Sequence, residues 1–275
     1  MYKRILLALD LEGVNLVVGE PYNGIGQDTE HWSAAREQAA AEINAAAEAL
    51  FCAGVEKVGL WDNHCGGNNM DKSALHPGIT LILTDRALPR MYFADGEYDC
   101  ICYFGYHAME GTLGGVLAHT MSSKLVQYYK INGRYVGEID IDAYIAAEKG
   151  IPSRFFAGGD IACRQARCAV GEIVTVNTKK EISRNQAVFR DNSELFADIK
   201  QNIVAAVSTP APTHPLRFPA VMEKSFKRVE DAEKYLRRIR LRGIEADYLD
   251  DAILGKDAHT VVSTVNSIAE LIICI

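Results

Sequence analysis

The sequence predicts an α/β protein with a mainly parallel sheet flanked by helices, together with a smaller C-terminal α+β domain. Strand-like and helix-like segments alternate over the first 107 residues, which is the βαβ order of a parallel sheet. The stretch STPAPTHP at 208–215 then holds three of the eight prolines and indicates a linker. We therefore expect a first domain at 1–207, which carries the candidate site, and a smaller second domain at 208–275 that is a candidate for oligomerisation.

The first half of the chain contains the clearest strand signals. RILLAL at 4–9 has the apolar character of a buried strand. Residues 33–53 are rich in alanine with recurring apolar side chains, which favours a helix, and Gly54 lies where a C-terminal cap belongs. Three further strands are predicted at 55–64, 79–84 and 98–107.

The middle and end of the chain add a hairpin and further alternating elements. Asn132-Gly133 between two β-prone runs predicts a hairpin. The segment IDIDAYIAAEKGIP after it is typical of a helix, SRFFAGGD at 153–160 of a strand, and a further helix and the strand EIVTVNT follow. In the last domain we expect a short strand near FPAVMEKS, a charged helix at 229–242 and a final helix at 257–271.

Composition narrows the class of protein. The 275 residues are 48% apolar, which is enough for a substantial core, and the net charge of -7 argues against a nucleic-acid partner. No apolar run reaches the length of a membrane span, and MYKRILLALD is too short in its apolar part for a signal peptide. Seven cysteines without a C-x-x-C pair favour a reduced, cytoplasmic protein without disulfides.

Two carboxylates follow the first strand in the stretch LLALDLEGV. Asp10 and Glu12 project to the same side if the strand continues, since side chains alternate with a period of two. Their repulsion must be offset by water, a shared proton, a basic side chain or a metal ion. A solvated loop after the strand is the simpler alternative.

Three more potential ligands follow other predicted elements. His64 follows the second strand, His107 the fourth strand and Glu138 the hairpin. Ligand sites in open α/β sheets lie beyond the carboxyl ends of the strands. Two histidines and three carboxylates are a sufficient ligand supply for two divalent ions with one bridging carboxylate. Imidazole favours zinc, with manganese and cobalt as alternatives. Each histidine taken alone is more often a core or loop residue, and their common placement after strands is what favours a site.

A further histidine lies close by in sequence. His119 follows His107 by twelve residues, across a loop that contains Gly111, Gly114 and Gly115. A histidine beside a metal site can donate to a developing oxyanion or move a proton. A histidine at a helix start or on the surface is the alternative. The same glycines lack the G-x-G-x-x-G spacing and a following GK[ST], so no nucleotide site is predicted.

Several short motifs together resemble one enzyme family. LDLEGV, WDNH followed by NN, GYHA, the HTM at His119 and INGRYVGE are similar to the zinc-dependent D-aminopeptidase family of the bacterial dipeptide-transport operon. Their order and approximate spacing match across residues 5–160, and the likeness continues more weakly through the C-terminal region. The set of motifs is specific, although no single motif is.

The resemblance implies a dinuclear zinc site. The positions that match the family's site are Asp10, Glu12, His64, His107, Glu138 and His119. Asp10 is then the bridge between two zinc ions. Glu12 and His64 bind one ion, and His107 and Glu138 bind the other. His119 matches the family's proposed catalytic histidine.

The resemblance also implies an activity and an assembly. Family members release N-terminal D-residues from short peptides, and they form homo-oligomeric decamers with the active sites facing an internal chamber. The segment from His107 to His119 is one residue longer here and reads MEGTLGG where the family has a proline. Alternatives therefore stay open: a metal-dependent hydrolase of another small amide or of a phosphoester, and, from a different class, a ring-forming metal-binding protein without turnover.

Overall fold

A computed structural model describes residues 1–21 and 23–275 of the chain. The six α-helices within these residues are α1 (Trp32–Cys52), α2 (Glu138–Glu148), α3 (Asp160–Val170), α4 (Asn192–Ser208), α5 (Val229–Leu241) and α6 (Ile268–Cys274). The strands are β1 (Arg4–Leu9), β2 (Lys57–Asp62), β3 (Ile79–Ile82), β4 (Cys100–Tyr106), β5 (Val126–Ile131), β6 (Arg134–Val136), β7 (Ser153–Gly158), β8 (Val174–Asn177), β9 (Lys179–Ser183), β10 (Gln186–Phe189), β11 (Ala220–Phe226), β12 (Ala246–Asp251) and β13 (Gly255–Val265).

A six-stranded parallel sheet forms the centre of the fold, in the order β3-β2-β1-β4-β7-β8. The first strand is buried on both faces. Ile5, Leu7 and Leu9 pack in a core with residues of α1 and α4, while Leu6 and Ala8 pack in a second core with residues of α2 and α3. Burial on both faces explains why the strand is apolar throughout instead of alternating. The predicted α/β class with helices flanking a parallel sheet is confirmed.

A second, antiparallel sheet has the order β12-β13-β11-β5-β6. Its β5–β6 hairpin turns at Asn132 and Gly133, whose φ angles of 50° and 77° are those of the predicted tight turn. Strands from both sides of residue 208 therefore share this sheet. The division into domains at 1–207 and 208–275 stays a prediction.

The C-terminal region differs from expectation at one element. The helix predicted at 229–242 is confirmed as α5, and the strand near FPAVMEKS as β11. The final helix predicted at 257–271 is wrong, because β13 continues to Val265 and only Ile268–Cys274 is helical. The run HTVVSTV in β13 is rich in β-branched residues, which favour strands, and it pairs with β11 and β12 on its two sides.

Other elements confirm or extend the sequence predictions. The alanine-rich helix is α1, and Gly54 just after it has the left-handed φ of 85° that suits a helix end. Helix α4, the β9–β10 hairpin and β12 were not anticipated. No helix in the described part of the chain is long and apolar enough to cross a membrane.

Candidate active site

The carboxyl end of the central sheet brings the predicted site residues together. Asp10 directly follows β1, His107 directly follows β4, and His64 lies two residues beyond the end of β2. Since β1 lies between β2 and β4, these three residues converge at one edge of the sheet. Glu138 joins them as the first residue of α2.

A tight backbone contact holds the ends of β1 and β4 against each other. Gly13 N–H donates to the carbonyl oxygen of Gly105 at 2.6 Å. Gly105 has a φ of +68°, and a Cβ there would lie 1.9 Å from the carbonyl oxygen of Asp10. Only glycine meets both requirements. The glycines of the LEGV and FGYH motifs therefore serve the close approach of Asp10 and His107.

The first group of potential ligands consists of Asp10, Glu12 and His64, all buried. His64 Nδ1 lies 2.9 Å from Asp10 Oδ1 and 3.0 Å from Glu12 Oε2. His64 Nε2 lies 2.8 Å from the carbonyl oxygen of Ile25, which can only accept a hydrogen bond. Nε2 therefore carries a proton, and Nδ1 faces the two carboxylates with either a second proton, which makes the ring cationic, or a metal ion between them.

The second group consists of Asp10, His107 and Glu138, also buried. His107 Nδ1 donates to the carbonyl oxygen of Ala108 at 3.0 Å. His107 Nε2 lies 3.6 Å from Asp10 Oδ2 and 3.4 Å from Glu138 Oε1, and it has no hydrogen-bond partner in the described chain. One ring nitrogen and two carboxylates at this spacing fit a cation between the three side chains, in place of the proton that otherwise makes His107 positive.

His119 lies against the second group. Its ring stacks on that of His107 with centroids 4.0 Å apart and an interplanar angle of 12°. His119 Nδ1 donates to the carbonyl oxygen of Leu117 at 2.9 Å, and Nε2 lies 3.7 Å from Glu138 Oε1. Burial and the neighbouring charge of His107 lower the pKa of His119 below its usual value.

The electrostatics of the site depend on positive charge beside each carboxylate. Burial next to the Glu12 carboxylate raises the pKa of Asp10. Burial also acts to raise the pKa of Glu12, but the charge of His64 outweighs it and holds that pKa well below its usual range. Burial likewise opposes the charge on His107, yet Glu138 raises the pKa of His107 to about 10. A divalent cation would neutralise the same cluster without any proton.

Asp10 is the residue that both groups share. The potential ligand atoms in each group lie within 4.8 Å of one another, and Glu12, His107 and His119 form a third such group. Zinc binds histidine nitrogen and carboxylate oxygen ligands. The donor set therefore fits zinc.

Two supporting interactions were not anticipated from the sequence. Asn69 donates through Nδ2 to the carbonyl oxygen of His64 at 2.6 Å and to Asp62 Oδ1 at 3.1 Å, which fixes the turn that carries His64. Buried Lys179 donates through Nζ to the carbonyl oxygens of Glu12 at 2.6 Å and Val14 at 2.9 Å. Asn69 is the second residue of the NN that follows WDNH, and this motif was its only signal in the sequence. Lys179 had no signal in the sequence.

The site opens into a cavity of about 550 Å³. Five of the six predicted site residues line it, and His107 does not; the five are Asp10, Glu12, His64, His119 and Glu138. Cationic side chains also line it, and they come from segments far apart in sequence: Arg86, Arg90, Lys124 and Arg184. No motif of the sequence predicted these cations, because separate loops supply them.

Comparison with known proteins supports the D-aminopeptidase family that the sequence motifs resemble. A curated relative, the D-aminopeptidase of Bacillus subtilis strain 168, is 28% identical over 183 residues, or 66% of this chain. The match spans 65% of the relative, just under two thirds of its length. A solved structure, described as the Zn-dependent D-aminopeptidase DppA from Bacillus subtilis, a self-compartmentalizing protease, has a TM-score of 0.82 at 23% identity. The superposition covers 98% of this chain and 94% of that chain, and it shows a shared fold.

The family assignment rests on the longest match. The family model described as D-aminopeptidase, peptidase family M55, matches residues 3–246, which include all six predicted site residues. The chain therefore belongs to the M55 family of D-aminopeptidases.

Proposed function

We propose that the protein is a dinuclear, metal-dependent aminopeptidase that releases N-terminal D-amino acids from short peptides. The observation that carries this proposal is the sharing of Asp10 between two groups of buried potential ligands. Asp10 would bridge two zinc ions, with Glu12 and His64 on one ion and His107 and Glu138 on the other. Bound zinc would supply Lewis-acid chemistry, activating a water molecule and polarising the scissile carbonyl group.

His119 would move the proton in this reaction. Because its Nδ1–H donates to the carbonyl oxygen of Leu117, the neutral ring leaves Nε2 free to accept a proton. Nε2 would take a proton from the attacking water and then give it to the leaving amine nitrogen as the C–N bond breaks. Stacking on His107 and the bond to Leu117 would hold the ring in one orientation.

The activity is tested with zinc-loaded protein and a panel of D- and L-aminoacyl dipeptides, tripeptides and amides. The panel also contains 4-nitrophenyl phosphate as a phosphoester. We expect release of N-terminal D-residues that a chelator abolishes and added zinc restores. Hydrolysis confined to another amide or to the phosphoester would reject the substrate class but keep the metal site. Bound metal without turnover of any compound would reject the enzyme proposal.

The ligand assignment is tested by metal content. His107→Ala should lose about one zinc per chain by elemental analysis, because it removes one of three ligands from the second group. His214→Ala is the matched control, since His214 is exposed in the proline-rich segment far from the site residues in sequence. An unchanged zinc content in His107→Ala would contradict the assignment.

The role of His119 is tested separately. His119→Ala should keep its zinc and lose about 10²- to 10⁴-fold in kcat, the usual contribution of a general acid–base residue. Full activity with unchanged zinc would show that His119 does not move the proton. Loss of zinc together with activity would instead make His119 a ligand.

We also propose a homo-oligomer, with a decamer as the expected size. The self-compartmentalizing description of the structural neighbour supports an oligomer, and the family resemblance is the basis for the decamer. In the region 208–275, Ile253 and Leu254 lie at the β12–β13 turn with 93% and 68% of their surface exposed, which supports this region as a contact. Light scattering of the wild type and of an Ile253→Ser, Leu254→Ser variant tests both points, and a monomeric wild type would contradict them. The cytoplasmic location stays a prediction from the cysteine pattern.

A further inference from the structure

Besides Arg90, three cations line the cavity beside the candidate metal site, although the chain as a whole has a net charge of -7. They are Arg86, Lys124 and Arg184. The cavity is also lined by acidic residues of the candidate site, so a molecule inside it meets both signs of charge. Its volume of about 550 Å³ suits a small ligand and not a folded protein segment.

These cations differ from a fourth one in the same cavity. Arg90 donates through Nε and Nη2 to the two carboxylate oxygens of Asp142, at 2.5 and 2.8 Å. Within residues 1–21 and 23–275, neither Arg86 nor Lys124 nor Arg184 has a carboxylate within 4.0 Å. Cationic side chains that line a cavity and have no carboxylate partner can bind an anion.

Backbone carbonyl groups fix the two arginines in place. Arg86 donates through Nη2 to the carbonyl oxygen of Cys65 at 2.5 Å, in the turn that carries His64. Arg184 donates through Nη1 to the carbonyl oxygen of Ala118 at 2.7 Å, directly before His119. A guanidinium group has five N–H donors in a planar fork, so each arginine keeps donors for a ligand.

Gly66 lies next to the guanidinium group of Arg86 and leaves the space that this group occupies. A Cβ on Gly66 would lie 2.2 Å from Nη2 of Arg86, so glycine is needed for the guanidinium to lie on this turn. The two guanidinium groups are therefore ordered before any ligand arrives, which lowers the entropic cost of binding.

We propose that Arg86, Lys124 and Arg184 bind the free C-terminal carboxylate of the substrate. The substrate class is then short peptides with a free C-terminus, dipeptides above all, and C-terminal amides are poor substrates. This proposal rests on the proposed aminopeptidase function and adds the selection of peptide length. A dipeptide carries an amine at one end and a carboxylate at the other, which complements a cavity lined by both carboxylates and cations.

The test compares D-alanylglycine with D-alanylglycinamide on the zinc-loaded enzyme. We expect kcat/KM for the acid to exceed that for the amide by about ten- to a hundredfold, the range for charge-assisted hydrogen bonds. Lys124→Gln should lower kcat/KM for the acid by several-fold and leave the amide unchanged. Lys124 is the preferred position because its side chain is exposed and makes no hydrogen bond within the described residues, so its replacement should leave the fold intact.

Two arginine variants and a control complete the series. Arg86→Gln and Arg184→Gln should further lower the ratio of kcat/KM for the acid to kcat/KM for the amide. Thermal unfolding of both variants is measured as well, because both arginines donate hydrogen bonds to backbone turns and their loss could destabilise the fold. Arg242→Gln, exposed at the end of α5, should change neither substrate. An equal preference for acid and amide in the wild type, or a ratio unaffected by Lys124→Gln, would overturn the proposal.

A binding readout separates this proposal from the proposed function. If the zinc-loaded protein hydrolyses neither peptide, both are titrated into it by calorimetry. Tighter binding of the acid that is lost in Lys124→Gln would reject the hydrolysis and keep the carboxylate site. Equal binding would reject the carboxylate site as well. Tighter binding of inorganic phosphate than of the acid would also overturn it, and would reassign the cations to a phosphoester.

Discussion

Glu42 in α1 is a buried carboxylate whose replacement should stabilise the protein. Its Oε1 accepts hydrogen bonds from the backbone N–H of Asn15 at 2.9 Å and from Gln38 Nε2 at 3.2 Å. Its Oε2 has no partner among the described residues. Burial raises the pKa of Glu42 from its ordinary value of 4.5 to about 7, because the charged form loses its hydration.

The magnitude follows from this difference in pKa. The folded state holds the Glu42 proton more tightly than the unfolded state, so stability falls as the pH rises from 4.5 through 7. The loss is about 3 kcal/mol at pH 8, at roughly 1.36 kcal/mol per pKa unit. Glu42→Gln cannot ionise, but its amide replaces Oε2 without a partner, which costs about 1 kcal/mol. The variant should therefore be about 2 kcal/mol more stable than the wild type at pH 8.

Urea unfolding at pH 5 and pH 8 measures this effect. The stability difference between Glu42→Gln and the wild type should grow from near zero at pH 5 to about 2 kcal/mol at pH 8. Glu37→Gln, exposed on the same helix, is the control. Its difference in unfolding free energy from the wild type should be the same at both pH values. A difference between Glu42→Gln and the wild type that does not change with pH would refute the reasoning, since Glu42 would then keep its ordinary pKa.

Three further substitutions test how the site is held. Gly105→Ala should lower the melting temperature and the zinc content together, because its Cβ would meet the Asp10 carbonyl oxygen at 1.9 Å; an unperturbed variant would contradict the close approach. Asn69→Ala should weaken zinc binding by about ten- to a hundredfold through the turn that carries His64, with circular dichroism unchanged. An unaltered zinc titration would remove that role. Lys179→Met should cost roughly 2–4 kcal/mol in urea unfolding by leaving buried carbonyl groups unpaired, and a smaller loss would indicate that water replaces the ammonium.

Local sequence patterns were sufficient for the central sheet and for the edge at which the site forms. The apolar runs before Asp10 and His107 predicted buried strands, and the rule that ligands gather at the carboxyl ends of parallel strands brought these residues to one edge. The hairpin at Asn132-Gly133 was equally predictable from the sequence, because few sequences are compatible with a tight turn that has two positive φ angles.

The last strand marks the limit of such patterns. Residues 257–271 were predicted as a helix, yet β13 occupies most of them between β11 and β12. Strand formation there depends on pairing with segments tens of residues away, which periodicity within a short window does not record.

The sequence by itself determined the fold class, the family resemblance and the residues of the candidate site, because apolar periodicity and short motifs are local properties of the chain. The resemblance also implied that Asp10 is shared by two groups of potential ligands, which the structure brings together. Only the tertiary structure decided that His119 stacks on His107. It alone also gathered Arg86 and Arg184 around one cavity. These arrangements depend on strand order and on contacts between loops distant in sequence, and the free energy of such contacts exists only once the chain has folded.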